Sequence, residues 1–161
     1  MHATTKPLAR LTAADLMSRD VTVIPRHLSL RTAARLLSQA RVSGAPVIDA
    51  CGACVGVISS TDFVHWAEGK APTRRDEPQL ACACAEWQVL DTESLPTDEV
   101  GGYMTADPVT ARPNTPIGAL ARMMLDAHIH RVIIVDGDNH PEGVVSTTDI
   151  LAAVAASQSG A

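Results

Sequence analysis

The sequence predicts an α+β fold made of two βαββα repeats packed around a pseudo-twofold axis. Three observations carry this reading. The stretch Gly56-Val57-Ile58-Ser59-Ser60-Thr61-Asp62 returns 87 residues later as Gly143-Val144-Val145-Ser146-Thr147-Thr148-Asp149. The same displacement turns the apolar pattern Leu30, Ala33, Ala34, Leu37 into Ile117, Leu120, Ala121, Met124. It also turns Val47-Ile48-Asp49 into Ile134-Val135-Asp136, the end of a strand and the start of a turn. Two copies are too few for a solenoid, and neither alone would bury its apolar faces well, so sheet-to-sheet pairing is expected.

The elements follow in order. Thr12-Ala13-Ala14-Asp15-Leu16-Met17 reads as a short helical lead-in, and Val21-Thr22-Val23-Ile24 as a brief β-branched strand ended by Pro25. The i, i+3, i+4, i+7 spacing of Leu30, Ala33, Ala34 and Leu37 predicts an amphipathic helix to about residue 40, broken by Ser43-Gly44. Residues 45–48 form the next strand, Asp49-Ala50-Cys51-Gly52 a turn, and 55–59 the returning strand. A second helix runs from near Thr61 to about Ala67. The second copy repeats this list. Its strand Val109-Thr110-Ala111 matches Val21-Thr22-Val23 with a one-residue slip, compensated after the prolines Pro25 and Pro113. The repeats are placed at 11–67 and 99–156. Residues 68–98, with Pro72, Pro78, Pro96 and the run Arg74-Arg75-Asp76-Glu77, read as a linker or surface excursion.

Composition narrows the function. Hydrophobic residues make up 46% of the 161 and aromatics only 2%, so the core must come from Leu, Ile, Val, Met and Ala. A net charge of −5 argues against a nucleic-acid duplex as partner. No apolar run is long enough to span a bilayer, and residues 1–10 lack the apolar centre of a signal peptide. A cytoplasmic protein without a membrane partner is expected. No P-loop, G-x-S-x-G, H-E-x-x-H or defensible Cys–His pairing is present, so no enzymatic activity is expected.

The repeated stretch reads as a short buried strand running into a helix, with hydroxyls and a carboxylate beside N–H groups that have no partner inside the helix. Such a corner either caps its own helix or holds the sugar and phosphate of a nucleotide. GVISSTDF and GVVSTTDI, the strands VTV and VTA, and PVID and IIVD before the turns resemble a tandem pair of CBS domains, often called a Bateman module. The resemblance covers nearly the whole chain except the first ten or so residues, the 68–98 excursion and the last few residues.

The resemblance implies an adenosine-containing ligand, AMP, ADP, ATP or S-adenosylmethionine, held in clefts between the repeats. It implies that Asp62 or Asp149 accepts from the ribose hydroxyls, with Ser59, Thr61, Ser146 and Thr148 lining ribose and phosphate. The first strands, carrying Thr22 and Thr110, would contact the nucleotide through backbone groups. The second copy has His128-Ile129-His130-Arg131 where the first has Arg41-Val42-Ser43-Gly44. His130 and Arg131 resemble a phosphate-contacting pair, and the planar guanidinium suits phosphate oxygens. The first copy lacks such a pair, so its site would take an uncharged adenosyl ligand or none. No cofactor is required. The implied role is regulatory, with a signal passed to a separate effector protein and a homodimer formed through the helices bearing Phe63-Val64, Trp66 and Ile150-Leu151.

Two alternatives stay open. One is a ligand-free oligomerisation scaffold. The other is a thiol-based sensor: Cys51-Gly52-Ala53-Cys54 and Cys82-Ala83-Cys84 supply four thiols that would suit zinc or a reversible disulfide if the excursion folds back on the turn. Inert thiols are the third possibility.

Overall fold

A computed structural model describes residues 6–68 and 98–158. In chain order its first elements are α1 (Ala13–Leu16), β1 (Ile24–Pro25), α2 (Leu30–Ala40), β2 (Gly44–Ile48), β3 (Cys54–Ser59) and α3 (Ser60–Ala67). After the excursion come β4 (Thr105–Ala106), β5 (Thr110–Ala111), α4 (Ile117–Ala127), β6 (Arg131–Val135), β7 (Pro141–Ser146) and α5 (Thr147–Gln158). Helices and sheets are both present, as an α+β fold requires. The chain divides into two compact units. One comprises Thr22–Pro108 and Asn139–Pro141; the other comprises the chain up to Val21, Val109–Asp138 and the residues from Glu142 onward.

The unit built on the first repeat has a four-stranded sheet in the order β1-β2-β3-β4. β1 runs parallel to β2 with Ile24 opposite Val47, and β3 and β4 continue antiparallel with Val57 opposite Thr105. α2 connects the two parallel strands. The Thr32 N–H donates to Ser29 Oγ at 3.1 Å and closes the helix N-terminus. Leu30, Ala33, Ala34 and Leu37 are all buried, the stripe predicted from their spacing. The helix ends at Arg41, whose φ of 56° is left-handed. Phe63 is fully buried in this core beside Ile24, Leu37, Val47 and Ile58. That corrects its expected place on an uncovered helix face. The apolar pair at the start of α3 turns one member inward, and Trp66 packs partly against the same core.

The second unit has a three-stranded sheet, β5-β6-β7, with β5 parallel to β6. α4 buries Ile117, Leu120 and Met124 and ends at His128 with φ 52°, the position 87 residues beyond Arg41. Val132, Ile134 and Val145 complete the core from the sheet. The expected one-residue slip is absent. Ile24 lies opposite Val47 and Ala111 opposite Ile134, so both pairs keep the displacement of 87. Thr110 therefore occupies the place of Val23, and the position equivalent to Thr22 is Val109. Pairing with the neighbouring strand sets the register, and the shared Val-Thr dipeptide does not.

Each repeat's lead-in is built into the unit of the other repeat. Ala13 and Met17 belong to the second core, where Thr12 bridges to Pro116 and Ser18 to Val144. Val100 is fully buried in the first core, with Glu99 bridging to Ser29 and Thr105 opposite Val57. This explains the glycine that opens each repeated motif. A Cβ on Gly143 would lie 2.6 Å from Met17 Sδ and 3.0 Å from Met17 Cβ. One on Gly56 would lie 2.6 Å from Met104 Sδ and 2.8 Å from the Thr105 carbonyl oxygen. A methionine from the exchanged lead-in covers both glycines.

Candidate functional site

The two strand–helix corners are built alike. β3 delivers Ser59 and α3 begins at Ser60, whose N–H donates to Ser43 O at 2.9 Å. Asp62, one turn on, accepts at Oδ2 from Ser59 N at 2.7 Å and Ser59 Oγ at 3.2 Å. In the second unit Thr147 N donates to His130 O at 2.9 Å. Asp149 Oδ2 accepts from Ser146 N at 2.7 Å and Ser146 Oγ at 2.9 Å. Capping is therefore real at both corners. It engages one carboxylate oxygen in each, leaving the other to be accounted for.

There the corners diverge. Asp62 is 6% exposed, and Thr105 Oγ1 donates to its Oδ1 at 3.4 Å. Burial pushes the Asp62 carboxyl up to about 6, against the Ser59 hydrogen bonds, the His65 charge and the Thr105 hydroxyl, all of which favour the ionised form. Asp149 is only half-buried, and among the described residues its Oδ1 accepts no hydrogen bond. Ser18, the residue equivalent to Thr105, is exposed beside Val144.

The remaining candidates fall into place around these carboxylates to different degrees. His130 and Arg131 are exposed, and the His130 carbonyl accepts from both the N–H and the hydroxyl of Thr147, which ties the pair to the start of α5. At the equivalent place in the first unit stands Gly44, where an added Cβ would meet Ile58 O at 3.1 Å and Ser59 Cβ at 3.2 Å. Thr61 is half-buried and Thr148 exposed. Thr110 lies in β5 opposite Ile133, whereas Thr22 precedes β1 and pairs with no strand. Thr105 was missed in the sequence. Its signal was present, since Met17-Ser18 and Met104-Thr105 recur at the same displacement of 87.

Of the cysteines, Cys51 is exposed and Cys54 buried, and burial raises the Cys54 thiol above its ordinary value. Cys54 also exchanges backbone contacts with Asn139, its N–H donating to Asn139 O at 2.8 Å and its carbonyl accepting from Asn139 Nδ2 at 2.9 Å. Cys82 and Cys84 lie outside the described residues.

Comparisons with known proteins agree with the two-repeat layout. The CBS domain family profile matches residues 13–69 and 100–156, well over half the chain. Human 5'-AMP-activated protein kinase subunit gamma-3 is 28% identical over 142 residues, covering 88% of this chain; the chain spans 26% of that subunit's length. The crystal structure of CBSX2 in complex with AMP, at 26% identity, superposes with a TM-score of 0.69 over 91% of this chain and 98% of that one. The CBS domain pair of protein MJ0100, solved with 5'-methylthioadenosine and S-adenosyl-L-methionine, gives 0.69 at 21% identity over 91% and 97%. That last likeness is one of fold alone. Among the described residues, no helix is long and apolar enough to cross a membrane. With two matched repeats and the same α+β layout, the chain belongs to the CBS domain family.

Proposed function

We propose that this chain is a non-catalytic regulatory module that binds an adenosine-containing ligand and passes the signal to a separate effector protein. One observation carries the reading: the strand–helix corner is built twice with an aspartate that caps through a single oxygen, and at Asp149 the second oxygen accepts no hydrogen bond among the described residues. A carboxylate oxygen beside a helix N-terminus suits the cis-diol of a ribose, each hydrogen bond to the charged acceptor contributing about 1.5–3 kcal/mol. Ser59, Thr61 and Asp62 serve the first site with Thr22; Ser146, Thr148 and Asp149 serve the second with Thr110. His130 and Arg131, at the start of β6 and tied to the start of α5 through the His130 carbonyl, meet the phosphate, which the helix N-terminus also favours. The AMP held by CBSX2, a protein of the same fold at 26% identity, supports this ligand class.

A homodimer completes the proposal. α5 buries none of its residues, and Leu151 and Val154 are 62% and 37% exposed, one turn apart. A second copy is the proposed cover for this face.

A thermal-shift screen with AMP, ADP, ATP and S-adenosylmethionine tests the ligand class. A ligand at about a hundred times its Kd should stabilise the fold by roughly 2.7 kcal/mol. An adenosyl ligand should raise the melting temperature of the wild type and fail to do so in an Asp62→Asn/Asp149→Asn double variant. Equal shifts in both proteins, or none with any ligand, would overturn the reading.

A further inference from the structure

We infer that Thr105 keeps the Asp62 carboxylate covered against a diol ligand, so that the two corners, alike in how their aspartates cap the helix, are unequal at the ribose contact and the Asp149 corner binds first. This rests on the adenosine reading above and adds the feature that ranks its two sites.

The comparison is internal to the chain. Both aspartates cap through Oδ2 with a main-chain bond of 2.7 Å, so the corners match up to that point. They differ in what the exchanged lead-in sets against the other oxygen. In the first unit β4 pairs with β3, placing Thr105 opposite Val57, and the Thr105 hydroxyl reaches Asp62 Oδ1 at 3.4 Å. In the second unit Ser18 bridges to Val144 at the equivalent position, without a hydrogen bond to Asp149. Serine carries no methyl group, and Ser18 is itself exposed. The carboxylates follow suit: Asp62 is 6% exposed and Asp149 half-buried.

The hydrogen bond from Thr105 is long and weak, so the cover is chiefly steric. A ribose hydroxyl approaching Oδ1 of Asp62 must displace the threonine side chain from a carboxylate already shielded from water. At Asp149 it meets an oxygen that needs no such rearrangement. A single residue of the lead-in thereby holds back the Asp62 site, in addition to the lack there of a counterpart to His130 and Arg131. A change in how that lead-in seats on β3 would open it.

Two reciprocal substitutions test this, read by calorimetry with AMP and by carbon-detected NMR titration of the aspartate side chains. Wild type should bind one strong equivalent of AMP, weakened roughly 30–150-fold in Asp149→Asn. Thr105→Ala should reveal a second event with affinity raised about tenfold or more, the factor that one recovered hydrogen bond to a charged group supplies. Ser18→Thr should weaken the first event severalfold. Without any ligand, Thr105→Ala should also lower the Asp62 titration from about 6 toward its ordinary 3.8, because water reaching the carboxylate relieves the dominant burial effect and outweighs loss of the weak Thr105 hydrogen bond, which alone would raise it. An unmoved Asp62 titration in Thr105→Ala would overturn the cover itself, whatever binds. A lowered titration with AMP binding unchanged or weakened would mean that Thr105 does not compete with the ligand. No AMP binding in any variant would overturn the adenosine reading, and with it the ranking of the sites, while the titration would still report on the cover.

Discussion

The burial of Asp62 has a consequence for stability that can be measured without a ligand. Its carboxyl is raised from 3.8 to about 6, chiefly because ionising it inside the unit costs solvation. The folded state therefore holds a proton that the unfolded chain releases. The stability linked to that proton is fully present below 3.8 and is lost as pH rises through about 6. A difference of roughly two pH units corresponds to about 3 kcal/mol at 1.36 kcal/mol each. Asp62→Asn replaces the acid by a neutral amide of the same shape, whose carbonyl still accepts from Ser59 N–H. The variant should be more stable than wild type near pH 7 by about 1–3 kcal/mol, the lower figure allowing for the lost charge at the helix N-terminus. The advantage should shrink through the window between 3.8 and about 6 and vanish below it. The groups facing Asp62 are the Ser59 and Thr105 hydroxyls, which do not titrate in this range, and the charge of His65. Urea denaturation across this range, wild type against variant, isolates the contribution from the other carboxylates. A variant less stable than wild type near neutrality, or a difference constant at every pH, would refute the buried-carboxylate argument.

Three further outcomes follow from named contacts. Arg131→Ala should weaken AMP by about 1.5–3 kcal/mol and leave adenosine almost unaffected, since the guanidinium meets only phosphate; calorimetry showing equal losses for both would misplace the phosphate. Gly56→Ala should cost more than Gly143→Ala, within and above the ~1–3 kcal/mol typical of overpacking, because the first meets the Thr105 carbonyl and the second only the Met17 side chain; the reverse order in denaturation curves would contradict the lead-in packing. Leu151→Glu should convert a sedimenting dimer into a monomer with its fold intact, and a dimer unchanged by the charge would remove α5 from the interface.

Much of the fold was legible because its strongest signals are local. The stripe Leu30-Ala33-Ala34-Leu37 buries as its spacing requires, its counterpart buries Ile117, Leu120 and Met124 with Ala121 half-buried, and the 87-residue displacement places both capping aspartates at strand–helix junctions. What was misread depends on contacts distant in the chain. The register of β1 and β5 is fixed by Val47 and Ile134 across the sheet, which a matched Val-Thr pair does not reveal. Phe63 lies in a short helix, where an adjacent apolar pair does not say which member turns inward. The relation of Thr105 to Asp62 spans 43 residues and exists only because the lead-ins change places. Sequence periodicity shows which residues are equivalent; tertiary packing makes equivalent aspartates unequal.

The central claim is that Asp149 holds a ribose as well as a helix end, and calorimetry of AMP against wild type and Asp149→Asn tests it most directly. The amide keeps an oxygen for Ser146 N–H, so the cap survives, but one acceptor on the carboxylate is replaced by a donor. The account predicts an intact fold with AMP binding weakened by about 2–3 kcal/mol, roughly 30–150-fold. An unchanged affinity in a folded variant would return the repeated aspartates to helix capping alone.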